Sequence, residues 1–337
     1  MQRQLGRMLR SKVAGDDAPA RAQRIWGAQG ERWFTPDDPV WRVHADASMF
    51  PAGVTSLLLQ MLHPMAMAGV AGHSGYKSDP WGRLQRTSHY LATTTFGTVE
   101  HAEEAIAMVR SIHERVRGKD DLGRPYRADD PHLLKWVHVA EIDSFLRGYQ
   151  TFGDTPLTDE EADVYVAQAG IPAARLGVID PPTSVTELRA VLNSYRPELQ
   201  TTASAREAAR FLLLDPPLPL YAKPGYGTLA SGGVSLLPGW AREMLGIPLP
   251  GVVSTLVARP LRCDGDWPDW PSAGPPTPPR TARPTPRRTP TDAPTSRMNS
   301  SGSRPRAERP PLTGPGGTQE AGAPGPVPPA RGGPSRA

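Results

Sequence analysis

Thr98-Val-Glu-His-Ala-Glu-Glu-Ala-Ile-Ala-Met-Val-Arg-Ser-Ile-His-Glu-Arg-Val-Arg-Gly118 is the stretch whose pattern decides the fold class. A threonine able to cap free amides precedes it and a glycine closes it. Between them Ala102, Ala105, Val109, Ile112 and Val116 recur at steps of three or four, the spacing of a helix with one buried stripe. The pattern predicts a helix over 99–117 with His113 inside the stripe and Arg110, Glu114 and Arg117 turned away.

The same start and stop signals recur outward from it. Asp79-Pro80 opens a helix that runs to Phe96, Asp129-Asp130-Pro131 opens one to about Gln150, and Thr158-Asp-Glu-Glu161 has the composition of another entrance. Ser184 to Tyr195, Ser204 to Leu214 and Pro238 to Leu245 read as three more, and Asp16 to Trp33 has helical spacing until Thr35-Pro-Asp-Asp-Pro39 breaks it. Pro51 to Leu62 reads as an apolar helix stopped or kinked by Pro64, and a second apolar segment leads to the turn at Gly72 to Gly75. No run of alternating β-branched residues is found, and no Asn-Gly or Asp-Gly turn precedes Asp264-Gly265. The expected fold is all-α, a single helical domain over 45–263 with an N-terminal arm, 1–44, packed on it.

Beyond Cys263 the composition changes. Residues 264–337 hold 19 of the chain's 40 prolines, ten Arg, six Asp or Glu and no Lys, too little apolar surface to offset the entropy of ordering, so a disordered tail is expected. That tail carries the whole net charge of +4 and leaves 1–263 neutral, which argues against a specific nucleic-acid groove. A single cysteine excludes an internal disulfide, a Cys-pair zinc site, an iron–sulfur run and a Cys-x-x-Cys-His haem attachment, and it points to a reducing, cytoplasmic setting. The N-terminus does not read as a signal peptide. Thirty residues from Ala47 to Tyr76 lack Asp, Glu, Lys and Arg, but Gln60, His63-Pro64 and several glycines interrupt them, so a buried helix pair lining a cavity is preferred to a membrane span. The charge of the Arg-rich tail allows weak contact with an anionic membrane surface.

All eight histidines fall within residues 44–138, and imidazole is the commonest ligand and proton-transfer group near neutral pH. His113 is either a ligand or a core histidine bonded to a carbonyl. His138 shares a face with Leu134, Glu141 and Phe145 and is either a ligand or half of a buried His–Glu pair. Arg83, Thr87, Tyr90 and Thr94 line one face of the helix after Asp79, with Arg86 alongside; such a face is a solvated surface or the polar wall of a pocket that holds a carboxylate or an oxygen species. Rival chemistries fail on spacing: no histidine has a Glu three residues before it as a di-iron helix needs, His113-Glu114 is not followed by a histidine in zinc-hydrolase register, Gly225-Tyr-Gly227 lacks the third glycine of a dinucleotide loop, and no Gly-x-Ser-x-Gly elbow exists.

Taken in order, Leu62-His63-Pro64, Asp79-Pro-Trp-Gly-Arg83-Leu-Gln-Arg86-Thr87, Ile112-His113-Glu-Arg-Val-Arg-Gly118, Tyr126-Arg-Ala-Asp-Asp-Pro131, Trp136-Val-His138 and Leu237-Pro-Gly-Trp240-Ala-Arg242-Glu243 resemble the MpaB-like haem oxygenases, which share a catalytic domain with the latex clearing proteins that cleave rubber. The resemblance covers roughly residues 45–260. It implies a globin-like helical fold that holds haem b through a proximal histidine, here His113, with Arg83 and Thr87 in the distal pocket; Arg86, Tyr90 and His138 are the further candidate cofactor-binding residues from the helix faces. Arg86 stands where rubber oxygenases carry a lysine able to cap the iron; a guanidinium stays protonated and is a poor ligand, which implies an open distal site. The family's distal carboxylate has no counterpart in the uncharged run before Asp79, which leaves His63 as the candidate proton-handling group. The activity implied is oxygenation of a small lipophilic, alkene- or terpenoid-like substrate with dioxygen. A helical binding protein without chemistry, or a haem peroxidase or dehydratase, are the alternatives, and the oligomeric state is not legible.

Overall fold

The computed structural model describes residues 18–247 apart from 74 and 76; the expected tail, Cys263 and the first part of the N-terminal arm lie outside the described residues. The described chain is all-α apart from one short hairpin. Its helices are α1 (Ala18–Trp26), α2 (Pro39–Ala45), α3 (Met49–Gln60), α4 (Pro64–His73), α5 (Pro80–Phe96), α6 (Val99–His113), α7 (Pro131–Phe152), α8 (Asp159–Leu176), α9 (Val185–Ser194), α10 (Ala203–Leu213), α11 (Lys223–Leu236) and α12 (Gly239–Leu245).

The caps read from the sequence do the expected work. The Asp79 carboxylate accepts from the Gly82 amide at 2.9 Å, Thr98 from His101, and Asp130 from His132, each satisfying an amide that has no partner inside its helix. Thr158 and Glu161 form a reciprocal capping box at the start of α8.

Two boundaries differ from expectation. α1 stops at Trp26, and the guanidinium of Arg32 instead bonds the carbonyls of Ile25, Ala28 and Phe96. α6 stops at His113, and Arg117–Lys119 (β1) pairs antiparallel with Pro125–Arg127 (β2), Gly118 facing Tyr126. The turn between them is closed by Asp120, whose carboxylate accepts from the amides of Leu122 and Arg124 and from the Arg124 side chain, while Gly123 supplies a φ of +78°. α6 buries Ala102 and Ile106, while Ala105 and Val109 of the expected stripe are half-buried and Ile112 is 45% exposed.

The centre of the protein is α7, most of whose side chains are buried, packed against α3. The contact is close because Gly148 leaves no side chain where a Cβ would stand 2.6 Å from that of Ala52. On the other side of α3 lies α11, where a Cβ on Gly233 would stand 2.7 Å from the Pro51 carbonyl oxygen, and Thr55 Oγ1 donates to the Gly233 carbonyl at 2.8 Å. Trp136 of α7, fully buried, donates its indole N–H to the Gln60 carbonyl at the end of α3, which partners an orphan of the helix terminus. The chain then turns through 109° into α4. No single described helix is long and apolar enough to cross a membrane; this bent pair passes by length and composition alone. α3 is largely buried in the protein.

Gly148→Ala and Gly233→Ala are each expected to lower stability by about 1–3 kcal/mol through overpacking, whereas Gly53→Ala, with nothing near its added Cβ, should be neutral or slightly stabilising because alanine is the better helix former. Urea midpoints of the three variants check this.

Candidate functional site

Between α5, α6 and α7 lies a cavity of about 450 Å³, whose wall also takes residues from α2, α4, α8 and β2. This is the size of a pocket for a small molecule or cofactor. α5 presents Arg83, Arg86, Thr87, Tyr90 and Thr94 to it, so the polar face seen in the sequence is the rim of a pocket, with Arg86 and Thr87 exposed at the mouth. α7 presents Leu134, His138, Glu141 and Phe145, one helical face as its spacing requires. Met65, Ala66, Gly69 and Val70 of α4 give an apolar wall.

Three imidazoles on this wall have an enclosed nitrogen without a hydrogen-bond partner: Nδ1 of His113, Nε2 of His138 and Nε2 of His44. Burial lowers the pKa of His138 to about 4, with the charge of Lys135 adding to the effect, and lowers that of His44 to about 4. Burial also lowers that of His113, opposed by the charge of Asp129. All three are therefore neutral near pH 7, the protonation state in which imidazole binds metal. His44 was visible in the sequence only as a member of the histidine cluster. It comes to the cavity from α2 at i+4 from Val40, and its Nδ1 lies 2.8 Å from Thr95 Oγ1, a contact that orients the ring.

The remaining polar groups have distinct states. Arg83 is desolvated, which with the nearby charge of Arg86 lowers its pKa, and it forms no ion pair among the described residues; as an arginine it stays charged. Arg86 is held at 3.3 Å by Asp79. The Thr94 hydroxyl donates to the Tyr90 carbonyl and so is already engaged. Burial, then the charge of Glu141, raises the pKa of the Tyr90 phenol far above its usual value. Burial alone raises that of Glu141 to about 7. His138 Nε2 has no hydrogen-bond partner among the described residues, which favours the ligand alternative over the buried His–Glu pair. Glu141 instead places a carboxylate on the wall of a pocket where the uncharged run before Asp79 offers none.

His63 does not line this cavity. It is buried at the break between α3 and α4, its Nε2 3.6 Å from Glu198 Oε2 and its ring packed near His132, Trp136 and Tyr195. Burial lowers its pKa, opposed by Glu198. The pocket thus gathers Arg83, Arg86, Thr87, Tyr90, His113 and His138, and leaves His63 in a second cluster.

Residues 41–262, well over half of the chain, match the family model described as ER-bound oxygenase mpaB/B'/rubber oxygenase, catalytic domain. Neither the curated proteins nor the solved structures contain a match.

Glu141 generates a pH prediction. Its folded pKa of about 7 exceeds its ordinary 4.5, so between those values the unfolded chain releases the proton first and stability falls as pH rises. Glu141→Gln removes that fall. Relative to the parent, the variant should gain on the order of 2 kcal/mol between pH 5 and pH 8, read from urea unfolding at both; an unchanged difference refutes the shift.

Proposed function

From the chain's membership of the mpaB/rubber-oxygenase catalytic-domain family, we propose that it is a haem b-dependent oxygenase that acts with dioxygen on a small lipophilic substrate. The observation that carries the reading is the convergence of three neutral imidazoles with unpartnered nitrogens and an unpaired arginine on one largely apolar cavity. These residues fit a haem. A porphyrin has flat apolar faces, a metal that takes an axial imidazole, and carboxylates that an arginine can hold.

His113 would hold the iron, in keeping with the resemblance of its motif. His138 is the second reading, favoured by the enclosure of its unpartnered Nε2. Bound haem would supply the redox-active iron for oxygen activation. The chain's own residues do the rest. Arg83 and Thr87, one turn apart on α5, offer charged and neutral donors to an anionic group. Tyr90, held protonated by its surroundings, acts as a donor and not as a base. Glu141, with a pKa of about 7, can hold or release a proton at its carboxylate near neutral pH, the range in which a general acid–base works best. With His63 off the wall, the proton-handling role proposed for it from the resemblance passes to Glu141. Met65, Ala66 and Val70 exclude water from one side and suit an alkene- or terpenoid-like substrate. The single cysteine keeps a cytoplasmic, reducing setting as part of this proposal.

Reconstitution with haem tests the reading. His113→Ala is expected to lower haem content and Soret absorbance at least about tenfold, since loss of a ligand's outer-shell partner alone costs about 10–100-fold in metal affinity, while the apoprotein keeps its helical circular dichroism. Full retention in that variant with loss in His138→Ala moves the ligand to His138, and a parent protein that takes up no haem overturns the proposal. Turnover that consumes peroxide in place of dioxygen identifies a peroxidase instead.

A further inference from the structure

The second histidine cluster owes nothing to the cavity. His63 stands in the turn between α3 and α4, His132 in the first turn of α7, and Glu198 in the short 3-10 turn Arg196–Glu198 after α9. Each offers one ligand atom, and these atoms lie within 4.8 Å of one another. His132 Nε2 is 2.9 Å and His63 Nε2 is 3.6 Å from Glu198 Oε2. We propose that His63, His132 and Glu198 form a binding site for a divalent transition-metal ion of the zinc type, which pins together three segments distant in sequence.

Three features support a built site over a surface ion pair. His63 is 2% exposed, and neither of its ring nitrogens has a hydrogen-bond partner; an ion at the cluster gives Nε2 the partner it lacks, at a place where an orphan is costly. His132 already has an orienting partner: the Tyr195 hydroxyl lies 3.3 Å from Nδ1 and donates to the His132 carbonyl at 2.8 Å, so Nε2 is the nitrogen left to ligate. The spacing is near what zinc needs: nitrogen and oxygen ligands about 2.0–2.2 Å from zinc in a tetrahedron stand about 3.3–3.6 Å apart, while His63 Nε2 is 3.6 Å and His132 Nε2 2.9 Å from Glu198 Oε2 and all three ligand atoms lie within 4.8 Å of one another, so small side-chain shifts complete the set. The ion enters by replacing the His132–Glu198 contact, with release of any proton shared there.

The surroundings allow it. His132 and Glu198 are about half exposed (53% and 43%), which leaves an entry path and a fourth position for water. Arg124, whose charge reaches His63, is neutralised by Asp120 at 2.8 Å. The segments are held in register without the ion by the Gln200 amide, which donates to the Leu62 carbonyl at 2.8 Å. Two imidazoles and a carboxylate suit zinc and ferrous iron better than magnesium or calcium, which take oxygen ligands.

Zinc is the probe. The untagged full chain, stripped with a chelator and desalted, is titrated with zinc, with bound metal measured after dialysis and Tm followed in parallel. The expected result is one zinc per chain with a submicromolar Kd and a Tm rise of about 5 °C at a hundredfold excess over Kd. Both effects should be lost in Glu198→Gln and His132→Ala, which alter exposed side chains, and kept in His113→Ala and His138→Ala. The proposal is overturned if the parent binds no zinc, or if Glu198→Gln and His132→Ala, folded by circular dichroism, keep full stoichiometry. Haem uptake is read separately from the Soret band, so failure of the oxygenase reading leaves this result intact.

Discussion

A polar atom buried without a partner costs about 1–3 kcal/mol, and in the described part of this protein several imidazoles keep an enclosed nitrogen without a protein partner. His44, His113 and His138 do so around one cavity, and His63 does so twice at a second place. Native structures leave few such atoms unsatisfied, and histidines have easy remedies, since either ring nitrogen can turn to a carbonyl. Their concentration on a cavity wall beside an unpaired Arg83 points to a partner that is not protein. Four basic or ligating side chains facing one space suit a metal-centred, anionic occupant, in keeping with the proposed haem. The catalytic-domain family to which residues 41–262 belong supplies the oxygenase chemistry in which such an occupant makes sense.

The scaffold explains how the wall is held. α7 is the core helix, and its contact with α3 depends on Gly148 and Ala52, so the helix cannot rotate without a clash. That fixes which of its faces looks into the cavity. The same rigidity holds Glu141 in a site that raises its pKa to about 7 and leaves His138 neutral. One helix face thus carries a ligand-ready base and a carboxylate poised to exchange a proton, separated by a single turn. α5 is held by its end, where Thr93 to Phe96 are buried, while Arg86 and Thr87 remain at the open mouth.

Much of this was legible before any coordinates. Capped helices announce themselves through local chemistry, so Asp79, Thr98, Asp130, Thr158 and Ser184 marked their elements correctly. The faces Arg83–Thr87–Tyr90 and Leu134–His138–Glu141 followed from helical period alone. What was missed has physical reasons. The hairpin after α6 depends on the side chain of Asp120 bonding amides two and four residues on, which no dipeptide turn rule detects. α11 contains four glycines in Lys223–Leu236, a composition that reads as loop; its helix is set by close approach to α3, a tertiary fact. His44 and the His63–His132–Glu198 cluster unite residues far apart in the chain, and spacing arguments see only neighbours. The reading of His63 as a pocket residue failed for the same reason, since a position beside an apolar helix does not say which side of it the ring will face.

A crystal structure of the haem-reconstituted protein tests the central claim most directly. The account predicts a porphyrin between α5 and α7, its iron bound to an imidazole nitrogen of His113 or His138, with Arg83 within hydrogen-bonding distance of a propionate or of the open iron face. A haem bound elsewhere, or a cavity closed by its own side chains with those imidazoles turned to carbonyl partners, would contradict it.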